Sequence, residues 1–187
     1  MPHDKKERPN TTMSNTHIMV DIETLGTSPK SVIFSIAAIK IKSNKIAGEF
    51  IAHPSIESGL KLGFKVQADT LKWWMFQDEE AREQITNSTS DLPTALNDLR
   101  HWMGPNNNLY LWGNGADFDN VHLAEAYKAC KMQVPWRFWN SRCFRTLKET
   151  FPLSETPLQV GTKHHALNDA LSQAHHLIQI FKDNALS

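Results

Sequence analysis

The chain has 187 residues, enough to bury a sheet with helices against it and too few for a second full domain. Lysine plus arginine and aspartate plus glutamate both number 20, so a polyanion must be held by local patches or bound cations, not by a global field. Two cysteines, Cys130 and Cys143, give no disulfide framework, and no segment approaches the roughly 18 apolar residues of a membrane span or the core of a secretory signal, so a cytoplasmic protein away from the membrane is expected.

Residues 1–16 are polar and aperiodic and read as a flexible tail, leaving 17–187 as the domain. Residues 17–22, 31–41 and 45–54 are apolar, β-branched runs split by LGTSPK and SNK, which predicts three strands in an antiparallel meander. Helical signals follow, with Asp69 and Asp78 as expected N-caps and Leu92, Ala95, Leu96, Leu99 and Met103 on one stripe. Residues 108–112 form a short buried strand that enters the Gly113-Asn114-Gly115 loop, and a helix over 118–130 comes next. The last helix is predicted over 165–181, with Leu167, Ala170, Leu171, Ala174, Leu177, Ile178 and Phe181 on its apolar face. Strands, helices, a strand and helices again make a layered α/β or α+β domain.

In Val20-Asp21-Ile22-Glu23 the carboxylates are two residues apart, so on a strand both point to one face while Val20 and Ile22 point to the other. Two like charges on one surface raise a pKa unless a cation lies between them, and a hard divalent ion prefers oxygen ligands of this kind. Alone, the pair also fits a solvated strand face. Asp117 and Asp119 arrive together at the start of a helix, where either fits an N-cap but both cannot cap the same helix. His164 precedes Asp169 by five residues, about 140° around a continuous helix, so the two share a site only if His164 lies in the loop before it. A zinc cluster of His164, His165, His175 and His176 spans too many turns to converge on one ion.

Residues 127–148 hold Lys128, Lys131, Arg137, Arg142, Arg145 and Lys148 with no acid, interleaved with Trp136, Phe138, Trp139 and Phe144, the composition of a single-strand holder. Arg142 and Arg145 are the expected phosphate contacts. Of Trp73 and Trp74, about 100° apart on a helix, one faces the core and the other a substrate cleft or a dimer interface; Trp74 is assigned to nucleic acid.

Taken together, Asp21-x-Glu23, Phe118-Asp119-Asn120 and His164-x-x-x-x-Asp169 resemble the three motifs of the DEDDh 3′–5′ exonucleases. DIETLGTSP, DTLKWW, LWGNGADFDN, PWRFWNSRCFRTL and HHALNDA are similar, more narrowly, to small bacterial and phage exonucleases related to a mycobacterial 3′–5′ exoribonuclease-like domain. The resemblance implies a ribonuclease-H-like fold, a mixed five-stranded sheet with its first three strands antiparallel, flanked by helices. It also implies two Mg²⁺ or Mn²⁺ ions per site, one on Asp21, Glu23 and Asp169, the second on Asp21 and, through water, Asp119. His164 is then the general base, Asp119 displaces Asp117, Thr24, Leu25 and Gly26 contact the last nucleotide with backbone groups and an apolar wedge, and Asn120 is assigned to nucleic acid. Asn168 and Cys143 stand where relatives often carry acids. The implied substrate is the 3′ end of single-stranded DNA or RNA, the product a nucleoside 5′-monophosphate, and a homodimer is possible. A catalytically silent binding domain of the same fold is the alternative, although such a domain would be expected to have lost motif acids that are all present here.

Overall fold

The computed structural model describes residues 15–104, 108–115 and 117–186. The tail expected over 1–16 lies outside them except for its end, and Thr16 is already the first, buried residue of strand β1 (Thr16–Thr24). Period-two alternation gives β1 two faces, Ile18, Val20 and Ile22 on one and Met19, Asp21 and Glu23 on the other. Strands β2 (Ile33–Lys42) and β3 (Lys45–Ala52) follow antiparallel. Ser43 and Asn44 turn between them with φ of 49° and 55°, the left-handed pair that a two-residue primed turn requires.

Strand β4 (Leu109–Gly113) joins the other edge of β1 in parallel, and β5 (Ser141–Cys143) pairs parallel to β4. The order β3-β2-β1-β4-β5 is the expected mixed five-stranded α/β sheet. The short helices α1 (Ile56–Lys61), α2 (Ala68–Trp74) and α3 (Glu79–Thr86) lead into α4 (Leu92–Met103), which follows the expected apolar stripe. Asp91 caps α4, its Oδ1 accepting from Thr94 N at 2.8 Å. Asp69 is not a cap: Gln67 holds that place in α2, and Asp69 lies in the first turn. Asp78 does stand at the N-cap of α3, without a side-chain bond. Helix α5 (Asp119–Ala129) follows β4, α6 (Phe144–Thr150) follows β5, and α7 (Ala166–Asp183) closes the chain.

The sheet buries both faces. Ile18, Val20, Ile22, Phe34 and Ile36 pack with Leu92, Leu96, Leu99, Leu123 and Tyr127 of α4 and α5. Met19, Ala37, Ile39 and Ile41 pack against α7. Ala166, Ala170 and Ala174, spaced four apart and fully buried, let the α7 backbone approach β1 and β2 closely. Leu167 and Leu171, expected on the buried face, flank it half-exposed, because the alanines take the central line. Each fully buried Leu or Ile contributes roughly 1.5–3 kcal/mol. Among the described residues no helix is long and apolar enough to cross a membrane.

Candidate active site

Asp21 and Glu23 stand near the C-terminal end of β1 on the α7 side of the sheet. Across the antiparallel pair they face Ala37 and Ser35, small residues that leave room above the carboxylates. A cleft of about 650 Å³ opens there, lined by Asp21, Glu23, Asp119, His164 and Asp169, with Arg145, Lys148 and Lys163 as its cations.

Asp119, the first residue of α5, is held at once by strand β1 and by the loop after β4. Its Oδ1 accepts from Ile22 N at 3.3 Å and its Oδ2 from Asn114 N at 3.0 Å. Gly113 makes this possible, since a Cβ there would lie 2.9 Å from both Asp119 Oδ2 and Asn120 Oδ1. Asp117 is exposed and caps nothing; the N-cap of α5 is Phe118. Asp169 lies in the first turn of α7, its Oδ2 accepting from His164 N at 2.8 Å and its Oδ1 from Gln159 Nε2 at 2.7 Å. Asp21 Oδ1 accepts from Gln173 Nε2 at 2.8 Å. Among the described residues none of the four acids forms an ion pair.

That arrangement is electrostatically costly. Burial, and then the charges of Asp119 and Asp169, push the Asp21 carboxyl well above the ordinary range. Glu23 is raised for the same reasons, with Asp21 its strongest charged neighbour. Burial takes Asp119 up to about 6, against the pull of the Ile22 and Asn114 N–H groups and Arg145. Ligand atoms of Glu23, His164 and Asp169 lie within 4.8 Å of one another. Mostly carboxylate donors that converge in this way, without an ion pair among the described residues, fit a hard divalent ion such as Mg²⁺ or Mn²⁺.

His164 lies in the loop before α7, with φ 61°, a left-handed conformation that histidine tolerates better than most residues. Three contacts hold it. Its N–H is bound by Asp169, its carbonyl accepts from Gln84 Nε2 at 2.9 Å, and its ring stands edge-on to Trp73 with centroids 4.8 Å apart. Gln84 is itself buried, and its Oε1 accepts from Ser35 Oγ at 3.0 Å and Ala166 N at 3.2 Å. His165 takes the N-cap position of α7 and does not line the cleft.

Several expected nucleic-acid contacts are placed elsewhere. Trp74 is 2% exposed, packs edge-on to Phe34 and donates Nε1 to Thr24 O at 2.9 Å; Trp73, 43% exposed, is the ring beside His164. Leu25 is buried in the core, so its side chain is no wedge, and its N–H and C=O bind Val32 O and Gln67 N. Thr24 Oγ1 donates to Gly26 O, and a Cβ on Gly26 would run into Ser31 and Gln67, which makes this turn a packing device. Asn120 is buried and ties Leu111 O to Arg142 O through Nδ2. Arg145 does line the cleft, donating to Asn114 O at 2.8 Å, whereas Arg142 lies in a separate depression with Tyr110 and Trp139.

Sequence reading missed Gln84, Gln159 and Gln173. Gln173 was findable: it follows Asp169 by four residues on α7 and so shares its face. Gln84 and Gln159 reach the site from separate segments, and no local pattern marks them. Cys143 stands at the N-cap of α6, its Sγ accepting from Thr146 N at 3.5 Å, a weaker acceptor than a carboxylate in the same place.

Comparison with known proteins agrees with this geometry. The family described as 3′-5′ exoribonuclease Rv2179c-like domain matches residues 16–181. An exodeoxyribonuclease of Enterobacteria phage T4 is 23% identical over 189 aligned residues, covering 81% of this chain and 82% of that protein. The fold is similar to that of E. coli exonuclease I in its zinc-bound complex with single-stranded DNA, with a TM-score of 0.66 at 12% identity, over 92% of this chain and 42% of that one. It is also similar to the nuclease domain of 3′hExo, a DEDDh family member bound to rAMP, with a TM-score of 0.64 at 13% identity, over 92% of this chain and 94% of that one. The present chain thus spans under half the length of exonuclease I, and these likenesses establish the ribonuclease-H-like fold. With the family match covering nearly the whole chain, the protein belongs to the Rv2179c-like 3′–5′ exoribonuclease domain family.

Proposed function

We propose that the chain hydrolyses single-stranded nucleic acid from its 3′ end, with Mg²⁺ or Mn²⁺ held by Asp21, Glu23, Asp119 and Asp169, and releases nucleoside 5′-monophosphates. The observation that carries the reading is the convergence of four carboxylates in one cleft without a cationic partner among the described residues. Two divalent ions in such a site would activate water and stabilise the leaving 3′ oxygen. The residues of the chain do the rest. Asp21, Glu23 and Asp169 fix the nucleophile side, and Asp119, pinned by Ile22 and Asn114, fixes the leaving-group side. His164 accepts the proton of the attacking water as the P–O3′ bond breaks, and the departing 3′ oxygen takes a proton from solvent water to leave as a hydroxyl. Arg145 and Lys148 at the cleft wall meet the phosphates, and Trp73 beside His164 offers a ring to the terminal base.

The polymer is the open choice: the matching family is described as exoribonuclease, and the phage T4 relative is an exodeoxyribonuclease. A 5′-labelled single strand in DNA and RNA forms, incubated with pure protein and Mn²⁺ or Mg²⁺, should lose mononucleotides stepwise from the 3′ end. Asp21→Ala should abolish release on both. A wild-type protein that binds both strands yet releases nothing from either overturns the proposal, and the ratio of the two rates assigns the polymer.

A further inference from the structure

The basic and aromatic block of residues 127–148 is divided by the fold into three parts. Lys128 pairs with Glu125 on α5, 3.7 Å apart, away from the acids. Arg145 and Lys148 line the acidic cleft. Arg137, Trp139 and Arg142 join Asn108, Tyr110 and Asn140 around a second depression of about 520 Å³ beside the edge strand β5.

Among the described residues no carboxylate lines that depression. The Arg142 guanidinium lies over the Tyr110 ring, 4.7 Å from its centroid, and Arg137 stands 5.2 Å from the centroid of Trp139. Arg142 is fixed by the backbone just before it: Nη1 donates to Trp139 O at 2.7 Å and Ser141 O at 3.0 Å. Its Nε and Nη2 donors carry no hydrogen bond to the described residues, so they remain for an oxyanion. Trp139 and Phe138 are 55% and 82% exposed beside these cations, although rings of this size are usually mostly buried. Cations interleaved with exposed rings are the construction of a single-strand groove.

The depression lies along the same strand pair that leads to the cleft wall. In the parallel β4–β5 pair, Arg142 stands opposite Trp112 and Cys143 opposite Gly113, the residue before Asn114 of the cleft wall. Arg145, in the first turn of α6, binds Asn114 O. From Asn140 to Cys143 the strand advances only about 10 Å.

We infer that the depression formed by Tyr110, Arg137, Trp139 and Arg142 is a second nucleic-acid subsite, which holds the phosphodiester backbone and stacks a base of the single strand upstream of the 3′ end in the acidic cleft. The inference rests on the exonuclease reading for the direction of the strand, but the subsite is read out by binding alone. It adds affinity for long strands and leaves the chemical step unchanged. A substrate too short to leave the cleft does not reach it.

The full chain is compared with Trp139→Ala and Arg137→Glu, both exposed positions. Equilibrium binding of a fluorescent single strand of about 20 nucleotides, measured in EDTA, should weaken at least about fivefold in each variant. The salt dependence should also fall, by about 0.7 in log–log slope for each phosphate contact that Arg137→Glu removes. In Mn²⁺ the KM for that strand should rise by the same factor with kcat unchanged. Hydrolysis of the p-nitrophenyl ester of thymidine 5′-monophosphate, which fills only the cleft, should stay within about twofold. Binding and long-strand KM that match wild type in both variants overturn the subsite, and leave a protein partner as the occupant of the exposed rings. A wild-type protein that binds the strand through Trp139 and Arg137 but hydrolyses neither substrate overturns the exonuclease reading instead.

Discussion

His164 and Asp119 are separated from His165 and Asp117 in sequence by family pattern alone, and in the structure the members of each pair differ in setting. Asp119 is the acid whose two oxygens meet backbone N–H groups from β1 and the β4 loop, while Asp117 is exposed. His164 takes the left-handed backbone conformation that turns it into the cleft, and His165 begins the helix. That conformation is held by Gln84, whose amide joins α3, β2 and the His164 carbonyl in one buried knot. Two outcomes follow at this scale. His164→Ala should cut kcat by roughly 10²–10⁴ while keeping most of the Mn²⁺-induced rise in Tm, because the acids that hold the ions remain. Gln84→Met, which keeps the volume but frees the His164 carbonyl, should lower kcat with little change in KM, and Gln84→Glu, which keeps the Oε1 acceptor but has no N–H for that carbonyl, should lower it as well. Full activity in Gln84→Met would show that the loop holds itself.

At the scale of elements, long periodic segments were legible and short ones were not. Strands β1 to β3 and helices α4, α5 and α7 lie within a few residues of their expected bounds because each repeats its apolar period, and the five-residue β4 is marked instead by its continuous apolar run before the Gly113 loop. Helices α1 and α6 and the three-residue strand β5 have too few residues to show a period, and β5 is a strand only because β4 offers it an edge. The same tertiary logic moved Trp74 inward: α2 lies over the turn after β1, and a buried donor had to reach Thr24 O. Gly113 links element to site, since β4 must end without a side chain for α5 to begin with Asp119 against β1. Gly113→Ala should therefore destabilise the fold by about 1–3 kcal/mol through overpacking. It should also lower kcat more than it changes KM, by displacing the Asp119 carboxylate. A variant with reduced Tm but unaltered kcat would limit the glycine to packing.

Over the whole molecule, equal numbers of acids and bases conceal a local excess of negative charge, and this sets how stability follows pH. Asp21, Glu23 and Asp119 are raised in the fold, so the folded state keeps protons that the unfolded chain has lost, and stability falls as pH rises from about 4 toward their folded values. Buried histidines act in the opposite sense. His17, lowered to about 4 by burial and then by Arg142, with His53, His122 and His176 lowered too, stays neutral in the fold, so stability falls as pH drops below about 6.5. The two sets oppose each other in mildly acidic solution. Above about pH 6.5 the unfolded histidines no longer take up protons, and the raised carboxylates Asp21 and Glu23 are left to set the slope until they too ionise in the fold. In EDTA the Tm should decline across this interval, and Asp21→Asn, which deletes a buried charge, should flatten the decline and raise Tm at its upper end while abolishing hydrolysis. Mn²⁺ competes with protons for the same carboxylates, so the Tm gain at fixed Mn²⁺ should grow with pH across the interval. A gain that is constant with pH, or one retained in full by Asp21→Asn, would mean that the ions bind somewhere other than the floor of this cleft.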